Sequence, residues 1–193
     1  MQQRERSEPP SVEPCASGVG MREVRAALID AVGRSTFDRA LTRVSQADRD
    51  AYENIDPLGW VPLRVSAAVL DAVAAEAKLD AEELFDRVVR EGVERSFKTV
   101  WKVLLHFTTD DALIARTPLI YAKSRNIGKL EARIAAPGEA DATLTGWPQM
   151  TERHARAIAV SIATVLSLAG RKSPRFFYQR TADGATFKLT WAL

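Results

Sequence analysis

The 193-residue chain has one cysteine, Cys15, and two histidines, His106 and His154. A lone thiol excludes an internal disulfide and cysteine-built metal clusters, which makes a reducing compartment the expectation. Two imidazoles leave little material for a metal centre or a general base. No apolar run reaches the roughly 18 residues that a membrane span requires. The N-terminus also lacks the apolar core of a signal peptide. A formal charge of +2 is too small to indicate nucleic acid, which calls for a basic stripe. Phosphate-cradling loops of the Walker or dinucleotide type are missing. So is a Gly-x-Ser-x-Gly setting for Ser66, Ser96, Ser124, Ser161 or Ser167. These absences predict a cytoplasmic, non-enzymatic protein with no cofactor, no metal site, no nucleic-acid partner and no membrane contact.

What is present is a well-patterned globular chain, 46% hydrophobic and 27% charged, enough to bury a proper core. The clearest stretch lies between Lys129 and Trp191. Leu130, Ala132 and Ile134 alternate with Lys129, Glu131 and Arg133. Ala140, Ala142 and Leu144 alternate with Asp141, Thr143 and Thr145, and Phe187, Leu189 and Trp191 with Thr186, Lys188 and Thr190. Such alternation predicts a sheet with one dry and one wet face. Ala136-Pro137-Gly138-Glu139 and Thr181-Ala182-Asp183-Gly184 carry the turn chemistry of two hairpins. A helix predicted over 150–169, closed by Gly170, separates them and is long enough to cross the dry face.

The N-terminal half reads as helices. Residues 1–20, with Pro9, Pro10 and Pro14, are expected to form a disordered tail carrying Cys15 as a solvent-exposed bystander. Val24, Leu28 and Val32 form one stripe, and Phe37, Leu41 and Val44 another. Asn54, Asp56, Pro57, Gly59 and Pro62 mark a loop in which Trp60 and Val61 plug the edge of the core. A helix follows over 65–78. Asp80 with Glu83 forms a capping box for a long helix running to Phe107, whose apolar face includes Val88, Val89, Val93, Phe97, Val100, Trp101, Leu104 and Leu105. Thr109, Asp110 and Asp111 start a further helix that Pro118 interrupts.

Candidate functional residues are few. His106 shares a helical face with Lys98 and Lys102, which points it to solvent. His154 reads as a surface residue near the start of the sheet-crossing helix. Arg171, Lys172, Arg175, Arg180 and Lys188 make the last hairpin basic, suited either to an anion or to shielding an exposed strand edge. Trp60, Trp101, Tyr121 and Trp147 are the candidates for lining a ligand pocket, or else are core.

A set of short motifs looks familiar: the Trp60-Val-Pro loop, Thr117-Pro118-Leu-Ile-Tyr121, Gly128-Lys-Leu, Leu144-Thr-Gly146-Trp147-Pro148 and Phe187-Lys-Leu-Thr-Trp191. Together they resemble an uncharacterised domain family expanded in myxobacteria, itself similar to haem–nitric-oxide-binding, 4-vinyl-reductase and Bet3-like domains. The resemblance implies helices followed by two hairpins around a helix. Haem-binding members carry Tyr-x-Ser-x-Arg. Here Tyr121-Ala-Lys-Ser124-Arg125 has a different spacing, and the cysteine cluster of the vinyl-reductase type is missing.

The resulting expectation is an α+β protein: a disordered tail over 1–20, then a single domain over 21–193. N-terminal helices precede a ββαββ unit, a four-stranded antiparallel sheet with helices packed on one face. Its function is expected to be a binding or scaffolding module in bacterial signalling. The alternative is a sensor for a haem-like or other small apolar ligand. Partners are a protein or a small apolar molecule. A homodimer through the long helix is weighed equally against cover by the N-terminal helices.

Overall fold

The chain folds around two apolar cores. The computed structural model describes residues 12–97 and 108–192. In chain order the elements are β1 (Cys15–Ser17), α1 (Gly18–Val32), α2 (Arg34–Leu41), α3 (Gln46–Glu53), β2 (Trp60–Pro62), α4 (Leu63–Ala77) and α5 (Ala81–Ser96). The second half contains α6 (Asp110–Ser124), β3 (Lys129–Ala136), β4 (Glu139–Thr145), α7 (Glu152–Leu168), β5 (Lys172–Thr181) and β6 (Gly184–Ala192). This is the expected α+β architecture. Trp101 and His106 lie outside the described residues.

The sheet is antiparallel with order β3-β4-β6-β5. Its register pairs Leu130 with Leu144, Ala142 with Phe187, and Tyr178 with Phe187, so inward residues meet inward residues across the strands. On the dry face Ala140, Ala142 and Ala185 are buried, as are Ala155, Ala159 and Ala163 of α7. Ala140, Ala142, Ala155, Ala159 and Ala185 share one core with Leu144, Phe187, Leu189 and Ile158. At the end of α7, Gly170 (φ 84°) donates to Ser167 and Arg171 donates to Leu166, a Schellman closure. The outer edge of β5 is broken by a bulge between Lys172 and Arg175, where Ser173 has φ 49° and Pro174 has no N–H to offer.

The second core joins α1 to α5 and contains Leu28, Phe37, Tyr52, Val65, Val69, Val73, Leu84 and Val88. Helix α1 lies directly on α5: a Cβ on Gly92 would come within 2.8 Å of Val24. Among the described residues, α1 therefore covers part of the surface that the homodimer expectation relied on.

Four expectations are corrected. The tail does not extend to Gly20: Cys15–Ser17 pairs with Trp60–Pro62, and α1 begins at Gly18. Backbone pairing is what holds this polar stretch. Asn126 accepts from the Cys15 N–H at 2.7 Å and donates to the Glu13 carbonyl at 2.9 Å. Cys15 is consequently buried, and burial raises its pKa. Trp60 does not plug the core. Alternation in the two-stranded ribbon turns Val61 inward and leaves Trp60 48% exposed. Helix α5 stops at Ser96, whose hydroxyl bonds back to Gly92, and Phe97 (φ −96°, ψ 72°) leaves the helix to pack against the sheet-side core. Lastly, α6 runs unbroken through Pro118.

Gly18 tests the ribbon. A Cβ there would lie 1.8 Å from the Asp56 carbonyl oxygen, whereas one on Gly20 would meet only Ser17 Oγ at 3.3 Å. Gly18→Ala is expected to cost about 3 kcal/mol, or roughly 6–12 °C of melting temperature. Gly20→Ala is expected to be close to neutral in the same thermal melts. Equal melting temperatures would mean that the ribbon is not fixed to the loop over 54–59.

Candidate functional site

Between the two cores lies a cavity of ≈ 350 Å³. Each core closes on its own side. Where α1, α4, α5 and α7 face one another, many side chains are small: Gly20, Ser66, Ala67, Gly92, Ala157 and Ser161. Small residues opposite small residues leave space. Apolar walls come from Met21, Leu70, Phe85, Val93, Phe97 and Ile162. Val89, Val93 and Phe97, counted earlier toward a dimer interface, line this internal space instead.

One end of the cavity is polar. Helix α7 is capped by Thr151, whose hydroxyl accepts from the His154 N–H at 3.3 Å. In return, His154 Nδ1 accepts from the Thr151 N–H at 3.2 Å. This is a capping box with histidine in the place that Glu or Gln usually takes. The imidazole stacks on Trp147, with ring centroids 4.8 Å apart. Burial, followed by the charges of Arg125, Arg153 and Arg180, pushes the His154 pKa down to about 4. At neutral pH the ring is therefore uncharged. With Nδ1 accepting, its proton sits on Nε2.

Trp147 is carried by the turn after β4. Gly146 (φ 76°) donates to the Asp183 carboxylate, and the Trp147 N–H donates to the Asp183 carbonyl, so the β5–β6 turn anchors it. The indole is buried, and among the described residues its Nε1–H has no acceptor. Tyr121, on α6, donates its hydroxyl to the Ile127 carbonyl at 2.7 Å, and burial pushes its pKa up to about 12. A Cβ on Gly128 would meet this hydroxyl at 3.2 Å and Leu144 at 2.9 Å. Tyr121, Gly128, Gly146 and Trp147, which belong to three separate motifs, thus converge on one corner.

Three guanidinium groups are disposed differently. Arg153 bonds Asp71 on α4 and Glu82 on α5 and lies 5.7 Å over the Phe85 ring. Arg156 grips Asp86 with both nitrogens, at 2.7 and 2.6 Å. Both arginines tie α7 to the helical core. Arg125 lines the cavity and donates to the Ser124 carbonyl at 2.8 Å, but no carboxylate pairs with it among the described residues. Burial lowers its pKa.

Of the four pocket candidates from the sequence, the structure brings Tyr121 and Trp147 to the cavity. Trp60 is on the surface, and Trp101 is outside the described residues. His154 and Arg125 also line the cavity, which the sequence pattern does not indicate. His154 was read as a surface residue because periodicity alone does not show the stacked indole. Its position three residues after Thr151 was the available signal. Arg171, one of the basic residues expected to make the last hairpin positive, is committed to Asp110 and to the Ala169 and Thr108 carbonyls. Ser96, Ser124 and Ser161 each donate to a carbonyl of their own helix. The described residues contain no cluster of three or more His, Cys, Asp or Glu side chains fit for a metal. No helix among them is long and apolar enough to cross a membrane.

No family model matches the sequence. No curated protein matches it significantly. Solved structures do match. The chain is similar to the Fe(II) unliganded H-NOX protein from K. algicida at a TM-score of 0.67 and 10% identity, covering 92% of this chain and 97% of that one. A point mutant of the T. tengcongensis H-NOX gives 0.66 and 12%, with 91% and 97% covered. The oxygen complex of an oxygen-binding H-NOX domain related to soluble guanylate cyclases gives 0.61 and 13%, with 90% and 92% covered. At this identity the likeness establishes an H-NOX-like fold.

The His154 environment sets a pH dependence. Its folded pKa lies below its ordinary value of 6.5, so between about pH 4 and 6.5 the unfolded chain holds more protons than the folded one. His154 therefore contributes stability that is full above the upper limit and is lost as pH falls toward the lower. His154→Gln keeps the capping box without titrating. The drop in melting temperature from pH 7 to pH 5 is expected to be smaller in this variant than in the parent chain. An identical drop would mean that the ring is not held neutral.

Proposed function

We propose that the chain is a sensor domain that binds a small, largely apolar molecule and acts in bacterial signalling by binding rather than by catalysis. The cavity between the two cores carries this reading. Its ≈ 350 Å³ falls in the usual range for small-molecule sites, about 300–1,000 Å³. The H-NOX-like fold supports a sensor over a pure scaffold, because its solved neighbours include an oxygen-binding domain. Membership of the myxobacterial group is part of the same proposal, on the motifs that contain Tyr121, Gly128 and Trp147. A cytoplasmic setting, expected from the single thiol, goes with it.

Haem is the group that the fold implies, and neither His154 nor Tyr121 fits it. Iron needs an axial donor with a free lone pair. The lone pair of His154 Nδ1 is occupied by the Thr151 N–H, and its Nε2 is protonated; the Tyr121 hydroxyl is committed to Ile127. Neither serves as an iron ligand. His106, the other imidazole, lies outside the described residues.

Nile red, a neutral apolar dye, is expected to bind the purified chain at a single saturable site. Val93→Trp, which adds bulk to the cavity wall, is expected to weaken it by about tenfold or more. Absence of saturable binding would overturn the reading. Titration with haemin is expected to give no sharp Soret band, and a band that disappears in His106→Ala would replace this reading by a haem sensor. The native mass in the same preparations decides the homodimer, which no longer draws support from Val89, Val93 and Phe97.

A further inference from the structure

We propose that the outer edge of β5 is a docking site for a partner protein, which adds an extended, acidic segment to the sheet as a fifth strand. This surface is separate from the cavity, whose lining includes no residue of β5, and the proposal stands whatever the cavity binds.

The edge is an open ladder. Among the described residues β5 ends the sheet order β3-β4-β6-β5 and pairs only with β6. Over residues 175–181 the register is unbroken, so alternate backbone N–H and C=O groups of that run point away from the sheet. The features that blunt such an edge are confined to its start, where Ser173, Pro174 and the bulge precede Arg175. Past them the strand reads Phe176-Phe177-Tyr178. Phe177 is 67% exposed and, among the described residues, is the one large apolar side chain that the four-stranded sheet leaves exposed.

Charge identifies the occupant. Lys172, Arg175 and Arg180 stand on a strand without a carboxylate, and none of them lies in an ion pair among the described residues. Lys188, opposite Phe177 on β6, adds a further cation. Asp141 is paired with Arg133, and Asp183 accepts from the Gly146 N–H. A second copy of β5 would set these cations against the same cations. Single-stranded nucleic acid matches the charge but has no alternating amide groups for the ladder, and the wet face also carries Glu131 and Asp141. An extended acidic segment answers both requirements, pairing its backbone with the free groups and its carboxylates with the cations.

The register sets the pattern of that segment. Arg175 and Phe177 share the wet face, whereas Arg180, opposite the buried Ala185, has the other parity. A strand with carboxylates spaced as Arg175 and Arg180 are, and β-branched apolar residues between them, therefore meets both arginines and Phe177 in either chain direction.

The test uses the full chain and a fluorescein-labelled peptide, Glu-Thr-Val-Val-Thr-Glu, read by anisotropy. Two control peptides carry lysine for both glutamates or proline for both valines. The acidic peptide is expected to bind saturably and about tenfold more tightly than the lysine control. The proline control keeps the charges but cannot form the ladder, and is expected not to bind. Arg175→Glu combined with Arg180→Glu, both at exposed positions, is expected to reverse the preference in favour of lysine. Phe177→Thr is expected to weaken binding of the acidic peptide. Should a variant fail to fold, nitrogen-15 spectra of the parent chain decide. The amide resonances of residues 175–181 should move on adding the acidic peptide and stay in place with the proline control. Equal binding of the acidic and lysine peptides would overturn the acidic partner, and equal binding of the proline control would overturn strand addition. Absence of saturable binding would overturn both. A concentration-dependent dimer abolished by the double arginine reversal would give the edge to a second copy instead. Tighter binding of an oligothymidylate, lost in Phe177→Thr, would give it to nucleic acid.

Discussion

Helix α7 has to satisfy two surfaces at once, and most of the structure follows from how it does so. In the sheet-side core it buries Ala155, Ile158, Ala159 and Leu166 together with Ala140, Ala142 and Ala185. Away from the sheet it presents Arg153 and Arg156, whose carboxylate partners all belong to the helical core. Apolar packing thus fixes the helix to one core and ion pairs fix it to the other. The Arg156–Asp86 pair has the parallel two-bond geometry that makes such contacts specific.

That division explains why a cavity exists. Each core is internally close-packed, with Leu144, Trp147 and Met150 in one and Phe37, Tyr52 and Val65 in the other nearly inaccessible. The surfaces between them carry glycine, serine and alanine, which do not interdigitate across the gap. Charged ties at the rim hold the cores together without filling the space. The N-terminal ribbon reinforces the junction from the other side, because Asn126, just past the end of α6, is bonded to both Glu13 and Cys15.

Most polar side chains of the cavity are committed within the fold. Its serine hydroxyls at Ser124 and Ser161 are spent on helix carbonyls, its one described imidazole is locked as a neutral donor, and its tyrosine braces the link from α6 to β3. The Trp147 indole N–H is buried without an acceptor among the described residues, and Arg125 lines the cavity with no carboxylate among them beside it.

The local elements were legible in the pattern of residues. Strict alternation at Leu130–Ile134, Ala140–Leu144 and Phe187–Trp191 defined strands and their dry face, because a two-residue period has no other reading. Turn chemistry at Pro137-Gly138 and Asp183-Gly184 located both hairpins. Local chemistry did less well where partners are distant. Polar composition marked residues up to Gly20 as tail, yet Cys15–Ser17 is held by strand pairing with Trp60–Pro62, 43 or more positions away in the chain. Pro118 reads as a break, but tertiary packing of Leu113, Ile114 and Tyr121 carries the helix through it. The site was the least legible part. Arg125 and Arg153 are the same residue type, and it takes the folded arrangement to give one of them two carboxylates and the other none among the described residues. The same holds for His154, whose stacking on Trp147 and fixed tautomer arise from folding around α7, because a side chain's charge state and free donors depend on what the fold places beside it.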